Sequence, residues 1–453
     1  MLSAIALLVF ATLCFLALWR PHWAGVLALS YIGYEQLLSS FYAAFARNSW
    51  FLNVLSGSVV LMAVLFSIVM GRKPVRGYIN INTVLVGLLY VIAVFGVTYS
   101  MMPAAGMYFI KKGLPPAALM LVLFPIAVLS WDTLKKMAFP MMIMGSFLVL
   151  MIIISPRTKI YGSRLFIDLS YTGASTSERG NPLAIAEVGG YVMLFAALIE
   201  PDRRSTVLGL VRLGAFTLGA AIAFLVGSRG QLVFALFFSA LFYPLAHQVK
   251  DVKQFFFRAG SGGIALGVIA IVGKVLASSS ASSARFTASD ISTGLQGRMY
   301  FATELLGEYA VNPANYLQGI GTGSFNAVVK HGGEGFLYPH NVVVEVLAHH
   351  GLIGLAVLTG IFAITGVHML KAYRMARKGL LDRSAVAIML ALICYTTMLS
   401  MKQGSFILIP LPFFTYLLLS KLVTRQSVSE AYNWSSEEEY DLLEQEYGDP
   451  EYT

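Results

Sequence analysis

A chain of 453 residues that is 57% hydrophobic and only 12% charged, against about 25% in soluble domains, carries more apolar surface than a water-soluble core can hide. Its mean hydropathy of +0.72 indicates a polytopic membrane protein, and its continuous rather than alternating apolar runs indicate helices, not a barrel. The net charge of +9 lies in short loops, where Lys and Arg set membrane orientation; it is not the footprint of a nucleic-acid binder. Cys14 and Cys394 both fall in apolar runs, which argues against a disulfide framework or a thiolate metal site.

Apolar runs of spanning length occur at Leu2–Trp19, Trp23–Leu38, Phe51–Met70, Thr83–Ser100, Pro116–Ser130, Met137–Ser155 and Leu183–Ile199. They continue at Val207–Val226, Leu232–Leu245, Gly263–Leu276, Val342–Val367, Ala385–Met401 and Phe406–Leu422. This predicts an all-α protein with about twelve or thirteen crossings. The first run lacks a basic n-region and a small-residue cleavage site, so it reads as a retained helix. Only Arg20-Pro21-His22 separates it from the second; the pair is a tight hairpin, or one of the two is partly re-entrant.

Charge assigns the sides. Arg72, Lys73 and Arg76 follow the third run, Lys135 and Lys136 the fifth, and Arg203 and Arg204 the seventh. Lys250, Lys253 and Arg258 follow the ninth, and Lys371, Arg374, Arg377, Lys378 and Arg383 the eleventh. These alternate loops are expected in the cytoplasm, and those between them, including 277–339 and Lys402–Ser405, outside it. Lys111 and Lys112 are on the wrong side for this scheme. The chain thus divides into a transmembrane helical domain, 1–425, and a tail, 426–453, that is acidic and expected to be disordered in the cytoplasm.

The long outer segment opens with Ser/Ala low complexity at 277–284, has helical character from Gly297 through Glu308, and reaches Gly319-Ile320-Gly321-Thr322-Gly323. Such glycines allow positive φ and close approach; a plain loop accounts for them better than phosphate binding. The segment ends at Tyr338-Pro339-His340-Asn341, directly before a strongly apolar run. Pro339 suits a helix start, which puts His340 and Asn341 in a first helical turn at the membrane face. That helix N-terminus disfavours the imidazolium and keeps the ring able to accept a proton.

Arg229, in the short turn Gly227-Ser228-Arg229-Gly230, and Arg298, in Gln296-Gly297-Arg298-Met299, belong to the same side as His340. Each alone reads equally as an interfacial anchor. Together, two guanidiniums and one imidazole suit a diphosphate: Arg binds phosphate oxygens in a bidentate fork, and His takes a proton from a hydroxyl. Glu345 is placed to orient a neighbour. His349 and His350 lie deeper and read as packing residues. No recognisable metal set, P-loop or Ser–His–Asp set accompanies them.

Ser228-Arg229-Gly230, the Gly297-Arg298 region leading into Gly319-Ile320-Gly321, and Pro339-His340-Asn341 followed by Gly351-Leu352-Ile353-Gly354 carry a resemblance. Over its second half the chain resembles the O-antigen ligase and polymerase superfamily. Its opening helices look like the exosortase-associated O-glycosylation ligase branch. Arg179-Gly180-Asn181-Pro182 resembles the Asn-bearing turn that the superfamily places before its mid-chain helix. The resemblance implies a metal-independent, inverting glycosyltransferase of the GT-C type in the bacterial inner membrane, needing no cofactor. The donor it implies is a glycan on undecaprenyl diphosphate; the acceptor is a glycan, lipid A core or protein, with a polysaccharide assembly complex as a further partner. Carried over, Arg229 and Arg298 hold the diphosphate, His340 activates the acceptor, and Asn341, Glu345, Arg179 and Asn181 orient or contact substrate. The competing class is a transporter or lipid flippase, which places ionisable residues near the midplane; Glu35 and Glu187 are the clear intramembrane acids. A scaffold leaves the Arg–Arg–His set unexplained.

Overall fold

A computed structural model describes residues 1–161, 164–169, 180–200, 205–249, 253, 288–329 and 338–427. The predicted span Gly263–Leu276, the low-complexity stretch, Arg179 and the tail from 428 lie outside these residues. The chain is a predominantly helical, multi-pass membrane protein that also carries one two-stranded antiparallel pairing, Thr158–Tyr161 with Arg164–Ile167. Among the described residues eight helices are long and apolar enough to cross a bilayer, and two shorter apolar ones, Ile81–Phe95 and Pro182–Leu198, accompany them. The helix Pro21–Phe41 is also of spanning length, but Ser30, Tyr34, Glu35 and Gln36 lower its hydropathy. Residues 411–427 form a further helix.

The first two runs form a tight hairpin: Arg20, extended at φ −131°, ends Leu2–Trp19 and begins Pro21–Phe41, with Pro21 at the first helical position. The expected span Pro116–Ser130 is displaced. Its helix starts at Pro103 and runs through Lys111 and Lys112, which therefore lie inside a helix and not in a loop. Both lysines are exposed, and Lys112 bonds the Tyr108 hydroxyl at 3.1 Å. Pro115 and Pro116 remove two amide donors, and the helix passes through a π turn at Leu119–Leu123 before ending at Ala127.

Contacts distinguish two ends of the bundle. At one, Lys135 pairs with Asp382 at 3.0 Å, the Ser384 hydroxyl donates to Leu198 O, and Arg425 donates to Leu129 O. Here the fully buried Lys421 donates from Nζ to the carbonyls of Pro125, Ile126 and Val128, each at 2.8 Å. These carbonyls are left over at the end of the Pro103–Ala127 helix, so a lysine from the last helix completes it. At the other end Tyr99 donates to Gln318 O, Asn341 to Met401 O and Lys402 to the Gln231 side chain. Among the described residues, Lys73, Lys135 and Arg383 from three of the basic loops lie at the first end; Arg229, Arg298, His340 and Asn341 lie at the second.

The predicted span Val342–Val367 is broken. Helical hydrogen bonding runs from Val342 to Arg377, but Gly351 has φ 62°, ψ −159°, outside any helical region. A nine-residue helix ending at His350 therefore precedes a longer one. The break exposes carbonyls, and the glycine turn supplies their donors: Ile320 N and Gly321 N donate to Ala348 O and His349 O, both at 2.9 Å. The next residue does the same for a second helix end. Thr322 donates from N to Gly96 O at 3.0 Å and from its hydroxyl to Ala93 O at 2.5 Å, closing Ile81–Phe95. The turn is thus a double helix cap whose amides are engaged by protein carbonyls.

This requires close approach. A Cβ on Gly319 (φ 76°) would lie 2.3 Å from the His349 carbonyl carbon, whereas one on Gly307 meets nothing within 4 Å. Gly319→Ala should therefore lower stability by about 2 kcal/mol or more, through clash and left-handed backbone together, while Gly307→Ala should leave it unchanged or raise it. Thermal unfolding of the purified variants in one detergent compares them; an unchanged midpoint for Gly319→Ala would refute the capping role.

Candidate functional site

His340 does not lie in a helical turn. The helix begins one residue later than expected: Asn341, at φ −148°, is its N-cap, and its side-chain oxygen accepts from Val343 N and Val344 N at 3.0 and 3.1 Å. His340 precedes the cap with φ 61°, a left-handed conformation uncommon for a side chain with a Cβ. Pro339, fixed in φ, sits outside the helix, and the reversal at His340 folds the ring back against Tyr338, centroid to centroid 4.6 Å. The imidazole is half-buried, and its pKa is pushed down to about 4, first by burial and then by the charges of Arg298 and Lys402. Burial and two cations disfavour the imidazolium here; the helix N-terminus lies one residue further on, at Asn341.

Arg298 is exposed on the helix Ala288–Val311, which starts well before the stretch of helical character read from Gly297. Arg229 opens the helix Arg229–Ala246, after Gly227 turns the chain at φ 67°. A Cβ added to Gly294 would lie 3.5 Å from Nη2 of Arg229. Gly294 and Arg298 are four residues apart on one helix and hence on one face. The Arg229 guanidinium therefore packs one turn from Arg298, and Arg298 in turn acts on His340. Arg229, Arg298 and His340, far apart in the chain, converge.

A fourth residue joins them that sequence reasoning placed only in a loop. The side chain of Lys402 crosses the backbone of Gly230: a Cβ there would meet its Nζ, Cε and Cδ within 2.7 Å. Nζ donates to Gln231 Oε1 at 3.1 Å, and Gln231 donates in turn to Gln403. The glycine of Ser228-Arg229-Gly230 is thus the seat of a lysine from the far end of the chain. The signal was present: Lys402 is positive charge in a predicted outer loop, the same oddity that singled out Arg229.

Glu345 is buried and does not bond His340; its carboxylate accepts from the Ser405 hydroxyl and from Phe406 N at 3.1 Å. Asn341 also donates to Met401 O at 3.2 Å, so one helix face grips the loop on both sides of Lys402. Asn181 is exposed and caps Pro182–Leu198 by accepting from Leu183 N at 3.0 Å, which gives it a local structural task. His349 accepts from Phe325 N at 3.3 Å, and His350 packs edge-on to Phe406; both are buried core residues. Among the described residues no three His, Cys, Asp or Glu side chains are grouped to hold a metal ion. Three cations beside an imidazole of lowered basicity make a region of positive charge, the kind of surroundings in which a compact anion can be bound.

Compared with known proteins, the chain matches no family model and no curated sequence.

Asn341 carries two separable tasks. Asn341→Ala should cost about 1 kcal/mol from the cap alone, and more with the tie to Met401 lost. Asn341→Ser keeps an N-cap acceptor without the reach to Met401 and should recover only part. Unfolding midpoints for the pair test this, and equal midpoints for Ala and Ser would contradict it.

Proposed function

We propose that the protein transfers a glycan from undecaprenyl diphosphate to an acceptor hydroxyl, by inversion and without a metal, as a GT-C-type enzyme of the bacterial inner membrane. The observation that carries this is the convergence of Arg229 and Arg298 on one helix face beside His340. In the reaction the acceptor oxygen attacks the anomeric carbon opposite the diphosphate, a new glycosidic bond forms, and the carbon–oxygen bond to the diphosphate breaks. His340 takes the hydroxyl proton. The two guanidiniums bind the diphosphate as it accumulates charge, which favours the transition state over the bound substrate.

The depressed pKa of His340 fits this sequence of events. In the empty site Arg298 and Lys402 oppose its protonation. A bound diphosphate offsets those charges and raises the basicity of the ring. The base is therefore strengthened when donor is present. The transporter alternative is less well supported: of the two intramembrane acids it would use, Glu187 is buried and accepts from Tyr191 on its own helix, and the Arg–Arg–His grouping is left without a task.

Purified protein supplied with undecaprenyl-diphosphate glycan and an acceptor should release undecaprenyl diphosphate and glycosylate the acceptor. His340→Ala and His340→Gln should lower turnover by about 10²–10⁴-fold while donor still binds. Arg229→Lys and Arg298→Lys keep charge but lose the fork, so both should fall sharply, whereas Arg374→Lys at the opposite end should be silent. Near-normal turnover in both His340 variants would remove the base from the mechanism; no transfer by the wild type, with lipid movement across vesicles, would favour the transporter.

The site is also proposed to face outward. A cysteine replacing the exposed Thr303 should react with an impermeant thiol reagent in intact cells, and one replacing the exposed Lys378 should not. The reverse pattern would place the site in the cytoplasm and exclude this donor orientation.

A further inference from the structure

The loop 401–406 is tied more firmly than a simple helix connection needs. Asn341 and Glu345, one turn apart, hold Met401, Ser405 and Phe406 from one side. Gln231, on the helix that Arg229 opens, holds Lys402 and Gln403 from the other. The residue that these ties position is Lys402. Its stem lies across Gly230, next to Arg229, and its charge is felt at His340 together with that of Arg298.

Lys402 thus stands between the arginine and the histidine ends of the site. An anion placed among three cations is attracted to all of them at once. A diphosphate bridging two groups carries two negative charges in adjacent units and spans a wider set of donors than a monophosphate.

We propose that Lys402 is the third cationic ligand of the donor's diphosphate, presented by the braced 401–406 loop between Arg229 and His340. This rests on the glycosyl-transfer reading above. A lysine suits the position because its ammonium is a compact point charge on a long stem, reaching the second phosphate while the arginines fork the first. The charged and titratable groups around His340 are Arg298 from the Ala288–Val311 helix, Lys402 from the loop, Glu345 on the helix that follows and the Tyr338 hydroxyl before it. Lys402 also lies close enough to the buried Glu187 for their charges to interact.

The test uses the full chain in nanodiscs and two probes, undecaprenyl diphosphate and undecaprenyl monophosphate. Lys402→Gln keeps a hydrogen-bonding side chain beside Gln231 but removes the charge. It should weaken undecaprenyl diphosphate binding about tenfold or more, affect the monophosphate less, and leave the lipid-free unfolding midpoint in place. Lys402→Arg should retain most of the affinity. The acid limb of kcat/KM, where His340 gains its proton in the free enzyme, should move to higher pH in Lys402→Gln, because a charge opposing protonation is gone.

If Lys402→Gln fails to fold, Gln231→Glu leaves Lys402 in place and pairs its charge, and should weaken diphosphate binding in the same direction. Wild-type affinity and an unmoved acid limb in a folded Lys402→Gln would overturn the proposal and leave Lys402 a strut. A wild type that neither binds undecaprenyl diphosphate nor transfers glycan would overturn the transfer reading itself, and this proposal with it.

Discussion

Every backbone carbonyl that a helix leaves open within a bilayer needs a donor from the protein, because lipid supplies none. In this chain that requirement is met at a helix break by the turn Gly319–Gly323. Its amides close the nine-residue helix ending at His350, and Thr322 closes Ile81–Phe95. Without those donors Gly351 could not leave helical geometry cheaply, and Val342–Arg377 would be one continuous rod. The short helix exists because the turn exists. Asn341 caps its other end, so the placement of His340 follows from hydrogen bonds made some distance away.

Around that short helix three cations are gathered from parts of the chain that lie far apart in sequence. Arg229, Arg298 and Lys402 are contributed by three separate elements, and two of them, Arg229 and Lys402, lie against a glycine. Gly294 lets Arg229 approach the helix that bears Arg298; Gly230 lets Lys402 lie flat; Gln231 and Gln403 tie the elements together. In the glycosyl-transfer reading proposed above, these cations are the groups that would meet a charged leaving group.

Much of this was legible in the sequence. The Lys/Arg alternation separated the two ends of the bundle, and the Arg–Arg–His set was picked out by its common side. What was missed shares one cause: helix boundaries inside apolar sequence depend on partners far along the chain. Lys111 and Lys112 looked like loop residues, yet Pro103 starts a helix that carries them, as only packing reveals. The run from Val342 looked like a single span because Gly351 is an ordinary helix residue until a backbone from 319–321 donates to its neighbours. Lys402 escaped notice because its partners, Gly230 and Gln231, are 172 and 171 positions away. Asn181, marked by resemblance, has a local task that the sequence pattern Asn-Pro also explains: it caps its own helix.

The break at Gly351 also separates two mechanical regimes. The helix after it is a membrane rod, and such rods tilt when the surrounding bilayer thickens or thins. A continuous helix would carry that tilt directly to its first residue. Here the rod ends at a glycine, and the short helix above it is tied separately, to the 319–323 turn and to the 401–406 loop. The position of His340, immediately before the short helix's cap, is therefore fixed by those bonds and not by continuity with the rod.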